Sequence, residues 1–314
     1  MTGGTPPRAG GTPTRLRGRR YRITHRTEYR YSDVVTSSYG RGFLTPRDSA
    51  RQRCMHHELR IDPEPADRST SRDGYGNIGT YFHVTTAHQA LSVTSASVVD
   101  VEPVPPQHYS TGTATAPWEA ARPAGLAGAL ATEFSVDLSP PEITDAVRDY
   151  SAPSFPAGRP LIDALRDLSS RIYADFTYRS GSTTVSTRVA QVLAAREGVC
   201  QDFARLAVAC LRANGLAASY VSGYLATDPP PGKQRVVGID ATHAWAAVWT
   251  PGDQWLAFDP TNDQMVDERY ILVGWGRDYA DIPPLRGIIY TDSERSAIEV
   301  SVDVAPFEGD VFYA

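Results

Sequence analysis

Three residues well separated in the chain, Cys200, His243 and Asp259, have the types needed for nucleophilic acyl chemistry. A thiolate attacks a carbonyl carbon, an imidazole carries the proton, and a carboxylate steadies the imidazole. Cys200 falls where Gly198-Val199 gives way to a stretch from Cys200 to Asn214. Phe203, Leu206, Ala207, Cys210 and Leu211 recur there at helical spacing, and Gly215 supplies a left-handed cap. A thiol at a helix N-terminus meets the positive end of the macrodipole and amides with no intrahelical partner. Both favour the thiolate, and the same amides can bind an oxyanion. Cys210, further along the same stripe, lacks that advantage and reads as an inert core thiol. Cys54, in Arg53-Cys54-Met55-His56-His57, matches no recognised zinc spacing.

His243 opens one candidate strand, 243–249, and Asp259 closes the next, 255–259, with Pro251-Gly252-Asp253 as the turn. A hairpin centred near residue 251 places 243 and 259 opposite each other or one step off, on one face. Cross-strand Cβ atoms there are about 5 Å apart, within reach of an imidazole–carboxylate hydrogen bond. Of the seven histidines, His243 alone lies in the C-terminal half; His25, His56, His57, His83, His88 and His108 read as structural or surface residues.

The elements that must hold these residues follow from periodicity. Tyr21 to Tyr31 alternates between apolar and polar, as do 57–61 and 91–94, and Asp73-Gly74-Tyr75-Gly76-Asn77 reads as a hairpin turn. Residues 21–105 are therefore expected to form an N-terminal β-domain, a small sandwich or barrel. Residues 106–138, polar and Pro-rich, read as a linker. Residues 139–285 are expected to form the core that carries Cys200, His243 and Asp259. Its first helix is expected to start at Ser139-Pro140-Pro141-Glu142. A second carries the stripe Leu161, Ile162, Leu165, Leu168 and Ile172, and a third starts near Ser186 or Thr187. Strand 219–225 and the hairpin then make an antiparallel meander. Helices followed by antiparallel strands define an α+β class. Residues 286–314 carry a further strand, 297–304, which packs on one of the two domains.

A 41% hydrophobic and 21% charged chain of 314 residues can bury a core without disulfide staples. Three sparse cysteines suit a reducing compartment, and Met1 to Arg20 reads as a disordered tail lacking the apolar run of a signal peptide, so a cytoplasmic location is expected. A net charge of −5 points away from nucleic acid and anionic membranes, and no run is long enough to span a bilayer.

Gly198-Val199-Cys200-Gln201-Asp202-Phe203-Ala204, His243-Ala244-Trp245 and Phe258-Asp259-Pro260-Thr261-Asn262 together resemble the bacterial transglutaminase-like superfamily. The order Cys, His, Asp is that family's triad order on a papain-like core. Tyr21 to Thr27, Pro46-Arg47 and Asp73 to Asn77 resemble its N-terminal β-domain, and Gly276-Arg277-Asp278-Tyr279 with Asp281 its segment after the triad. The resemblance covers residues 21 to 305. It implies a cysteine peptidase or hydrolase working through an acyl-thioester on a peptide or protein amide, with transfer to an amine and a non-catalytic scaffold as the alternatives. Nothing resembles the calcium loop of the animal enzymes, so no metal or cofactor is expected. Tyr178 and Gln201 are the oxyanion-donor candidates, and Trp245 and Tyr224, with Trp249 and Trp255, could line a groove. Asp202 is read as structural. Relatives often carry His where this chain has Arg205. The Pro-rich run Asp228 to Lys233 is read as a surface loop, with a lid as the alternative.

Overall fold

The computed structural model describes residues 18–227, 242–252, 254–291 and 294–308. The expected tail up to residue 17 and the Pro-rich loop at 228–233 lie outside the described residues.

Alternation in the first strand is real and long. β1 (Arg19–Gly42) turns Tyr21, Ile23, His25 and Thr27 inward and Arg22, Thr24 and Arg26 outward. It begins at Arg19, inside the expected tail. β2 (Gln52–Asp62), β3 (Asp67–Arg72), β4 (Ile78–Val84) and β5 (His88–Val101) follow. The turn at 73–77 joins β3 to β4 as an antiparallel hairpin. The register of β1 against β5 shifts between Arg30 and Val35, and beyond that irregularity β1 pairs with a different neighbour, β4.

Residues 106–138 form short 3₁₀ turns rather than a free linker. Trp118 and Phe134 are 5% exposed, and their apolar area holds the segment against the core. The expected helix start at Ser139 is also displaced. The Asp137 carboxylate accepts the amides of Glu142 and Ile143, which occupies that stretch with a side-chain-capped turn. α1 (Asp145–Ser151) starts six residues later, with Thr144 as cap accepting from Val147 N. α2 (Leu161–Asp175) buries every residue of its expected stripe. β6 (Thr177–Tyr178), α3 (Val189–Ala195) and β7 (Glu197–Gly198) lead into α4 (Cys200–Ala213).

The core sheet comprises β8 (Ala218–Leu225), β9 (Thr242–Thr250), β10 (Gln254–Asp259), β11 (Gln264–Met265) and β12 (Tyr270–Gly276). Its order, β11-β10-β9-β8-β12, departs from a simple meander, because β12 returns to pair with β8. α4 covers the face carrying Ala244, Ala246 and Val248, and is buried from Asp202 to Arg212, as a helix roofed on all sides requires.

The chain then goes back to its start. β13 (Leu285–Thr291) and β14 (Ser296–Pro306) both pair with β1, completing a curled seven-stranded sheet. Val302 and Val304 of β14 join Tyr21, Ile23, Val99 and the α4 residues in one apolar cluster. The two sheets therefore share a core. Among the described residues no helix is long and apolar enough to cross a membrane.

β12 is an edge strand, and the N-terminal unit covers its edge with side-chain amides. Gln52 Nε2 donates to Leu272 O, and Gln52 Oε1 accepts from Leu272 N, both at 2.7 Å. Asn77 Nδ2 donates to Trp275 O at 2.7 Å, and Asn77 Oδ1 accepts from Trp275 N at 3.0 Å. Arg47 donates to Asn77 Oδ1 and lies 3.5 Å above the Trp275 ring. The segments around Arg47 and Asn77 thus dock one unit onto the other.

Candidate active site

Cys200 owes its position to the residues on either side of it. β6 and β7 form a short parallel pair, and Arg179 N donates to Gly198 O at 2.9 Å, which delivers the chain to the helix in an extended state. Asp202 folds back over the first turn, accepting from Val199 N at 2.9 Å and from Thr183 Oγ1 at 2.6 Å. A Cβ on Gly198 would come within 2.9 Å of the Asp202 side chain, so glycine is needed before the cap. The intrahelical ladder begins with Asp202 and Phe203, both donating to Val199 O. The Cys200 and Gln201 amides lie ahead of it, at the positive helix end. The thiol is half-buried, with Sγ 4.0 Å from Thr242 O.

His243 and Asp259 meet, but by a different register from the expected one. Gln254 pairs with Thr250 and Phe258 with Ala246, so the hairpin centre is residue 252. Continuing that register would put Asp259 across from Trp245, and His243 reaches it diagonally along the same face. Nε2 of His243 stands 2.7 Å from Asp259 Oδ2, with the imidazole 10% exposed and the carboxylate fully buried. Gly223 is the residue across from His243 on β8; a Cβ there would strike Ile271 O and the Trp245 ring. Cys200 also stands near enough to His243 to favour the charged imidazole. With Nε2 turned to Asp259, Nδ1 is the nitrogen left for the sulfur.

The carboxylate is saturated. Oδ2 also accepts from Tyr270 Oη at 2.7 Å and from Asn262 Nδ2 at 2.6 Å, and Oδ1 accepts from Thr261 N at 2.8 Å. Gln264 Nε2 in turn bonds Tyr270 Oη. Burial works against the Asp259 charge, but the hydrogen bonds and charge of His243 and the bonds from Asn262 and Tyr270 hold its carboxyl below the ordinary range. Burial likewise opposes a charged imidazole. The hydrogen bonds to Asp259 and Cys200, with their charges, outweigh it and push His243 up to about 10. Tyr270 is raised, first by burial and then by the Asp259 charge it faces.

The other expected site residues divide. Gln201 is half-buried beside the thiol. Tyr178 stands at the rim, 55% exposed, its ring edge-on to Phe203; burial, then the nearby Cys200 charge, raise its hydroxyl. Trp245 is buried against His243 and Tyr270. Trp249 is buried with Ala131 and Phe134. Tyr224 lines no groove: its ring faces the other side of the sheet, 1% exposed, with its hydroxyl 3.1 Å from His25 Nδ1 in the core shared with β1. Arg205 is 8% exposed and points away from the thiol, to Asp278, Glu142 and Thr187 O, tying α4 to the segment after the sheet. Burial pushes the Cys210 thiol up to about 12 and the Cys54 thiol, beside Asp48, up to about 11. Tyr270, Thr261 and Asn262 were not singled out as site residues by spacing. Thr261 and Asn262 follow Asp259 directly, which is a local signal; Tyr270 sits on a strand whose place in the sheet is not written in its own residues.

A papain-like α+β core with a cysteine at a helix start and a histidine and aspartate on the facing sheet is the transglutaminase type of fold. Residues 151–260 match the family described as the transglutaminase-like superfamily, and residues 21–100 match the bacterial transglutaminase-like N-terminal region. An uncharacterized protein of Mycobacterium tuberculosis strain H37Rv is 75% identical over 299 residues, covering 94% of this chain and 95% of that one. One from Mycobacterium leprae is 35% identical over 295 residues, covering 91% and 98%. The chain belongs to the bacterial transglutaminase-like superfamily. A 100-residue stretch, 29% of this chain and 15% of the other, is 36% identical to a protein-glutamine gamma-glutamyltransferase of Pseudomonas aeruginosa. The crystal structure of a Cytophaga hutchinsonii protein, provisionally described as a cysteine protease, superposes with a TM-score of 0.69 at 19% identity, covering 93% of this chain and 94% of that one.

Proposed function

We propose that the chain is a cysteine-dependent hydrolase of peptide or protein amides. The observation that carries this reading is a half-buried thiol at a helix start, beside an imidazole whose Nε2 is bonded to a buried, saturated carboxylate. Cys200, its proton held on His243, attacks the amide carbonyl carbon. The negative charge that develops on oxygen falls near the leading amides of α4. As the C–N bond breaks, His243 gives its proton to the departing amine, and a thioester remains on Cys200. His243 then takes a proton from water, the hydroxide adds to the thioester carbon, and the thiolate leaves with the acid released. Asp259 keeps the imidazole turned and offsets its charge throughout.

An amine in place of that water would give transfer, the reaction named for the Pseudomonas relative with its short match. The full-length chain, incubated with a glutamine-containing peptide and a labelled primary amine, is expected to release free acid. Amine incorporation in preference to acid would replace hydrolysis with transfer. Cys200→Ala should abolish either product. If iodoacetamide at neutral pH modified Cys54 or Cys210 as fast as Cys200, the triad reading itself would fail.

A further inference from the structure

On the sheet face turned away from α4, between the core sheet and the N-terminal unit, lies a cavity of ≈ 170 Å³. Trp245, Trp255, Trp275, Val221 and Leu272 supply its apolar wall, and Val101 of β5 reaches it from the other unit. Neither Cys200 nor His243 is on that wall, so a scissile amide at the thiol does not occupy it. Two wall residues nevertheless touch the triad. Tyr270 lines the cavity and donates to Asp259 Oδ2 at 2.7 Å. Trp245 lines it and packs on His243 with ring centroids 6.2 Å apart.

Size and lining select the occupant. A space of about 150 Å³ accommodates one benzene ring. Three indoles on the wall suit the faces and edges of such a ring. The polar wall groups are largely engaged already: Gln52 with the Leu272 backbone, Tyr270 with Asp259, Asp267 with Arg269 at 2.6 Å, and the Arg51 guanidinium with Glu102 O at 3.3 Å. Ser219, 2% exposed, adds one hydroxyl. A net charge placed among the three indoles would lose hydration, and the charged wall groups, Arg51 and Asp267, already have partners. We propose that this cavity binds a neutral single-ring aromatic molecule of the phenol class, and that its occupancy is felt by the triad through Tyr270 and Trp245.

The binding claim stands apart from the amide-cleavage reading and is tested without substrate. Phenol titrated into the full-length protein is expected to change tryptophan emission saturably, and benzoate, the same ring with a charge, to bind at least tenfold more weakly. Ala247→Leu and Ala257→Leu each place a larger side chain on the wall and should weaken phenol at least tenfold. A thermal melt of each variant shows that it is folded. Saturating phenol should also change the rate at which iodoacetamide alkylates Cys200 by at least twofold in the parent protein. Absence of a saturable signal up to the solubility of phenol overturns the site, as does unchanged affinity in both folded variants. Saturable binding with an unaltered alkylation rate overturns the link to the triad.

Discussion

Asp259 accepts four hydrogen bonds, and the donors have separable jobs. His243 receives charge support from it, whereas Tyr270 and Asn262 fix where the carboxylate points. Asp259→Asn removes the charge but keeps the shape. Activity on an amide is expected to fall by roughly ten-thousandfold, the range seen when a triad carboxylate is neutralised. The alkaline limb of the rate profile should move down, since His243 loses the partner that holds it above its ordinary value. Tyr270→Phe deletes one donor to a charged acceptor, worth roughly 1.5–3 kcal/mol, so a ten- to hundredfold loss is expected. Its alkaline limb should stay put or rise, because the full carboxylate charge still faces the imidazole. Steady-state rates from pH 5 to 10 separate the two variants, and a downward limb in Tyr270→Phe would contradict the assignment. The triad was legible in the sequence because each member sits beside a local signal: a glycine and a helical stripe at Cys200, and two strand patterns around one turn at His243 and Asp259. The register was misjudged because the centre of a hairpin is set by the conformation of its turn, here with Gly252 at φ 90°, and not by the strand pattern. Arg205 could not be placed because its partners, Glu142 and Asp278, come from distant segments.

At the level of elements, β12 shows why part of the fold escaped pattern reading. Tyr270 to Gly276 holds two glycines, and its ladder slips between Leu272 and Gly274, which blurs the alternation that marks a strand. A Cβ on Gly274 would lie 2.6 Å from Asn77 Oδ1, so that glycine is present to admit the Asn77 amide. The edge of β12 is satisfied by Gln52 and Asn77, a device that protects an edge without adding another strand. Asn77→Ala would leave the Trp275 N–H and C=O without these partners in a buried place. The expected cost is about 2–4 kcal/mol, read as a drop of several degrees in Tm with the secondary structure unchanged below the transition. An unchanged melting temperature would mean that β12 does not depend on the amide. The same bonds show why Asp73 to Asn77 looked like a plain turn. Its Asx geometry, with Asp73 Oδ1 accepting from Tyr75 N and Asn77 N, is local, while its docking role is not.

For the molecule as a whole, the shared core couples the site to the N-terminal sheet, and the buried His25 and half-buried His57 make that sheet sensitive to acid. His25 is lowered to about 4 by burial, and His57 to about 4 by burial and the neighbouring His56 and Arg68 charges. Both are below the unfolded value, so the unfolded chain takes up protons first as pH falls. Their stabilisation is complete above about 6.5 and is lost between there and 4. His243 has the opposite sign: its contribution is complete below 6.5 and is lost only as pH climbs toward 10, so it cannot drive the acid loss. Urea unfolding should show roughly 2 kcal/mol lost per histidine between pH 7 and 5, as an order of magnitude. His25→Gln should flatten that dependence, and an equally steep curve in the variant would place the acid sensitivity elsewhere. β1 is flanked on one side by β13 and β14, which come from the far end of the sequence. During synthesis, a strand of 24 residues made at the outset must therefore wait with one side bare until residue 285 and beyond have left the ribosome. A chain stopped before that point would carry an open template for pairing with its neighbours, so premature termination is expected to yield clumped polypeptide instead of a smaller folded protein.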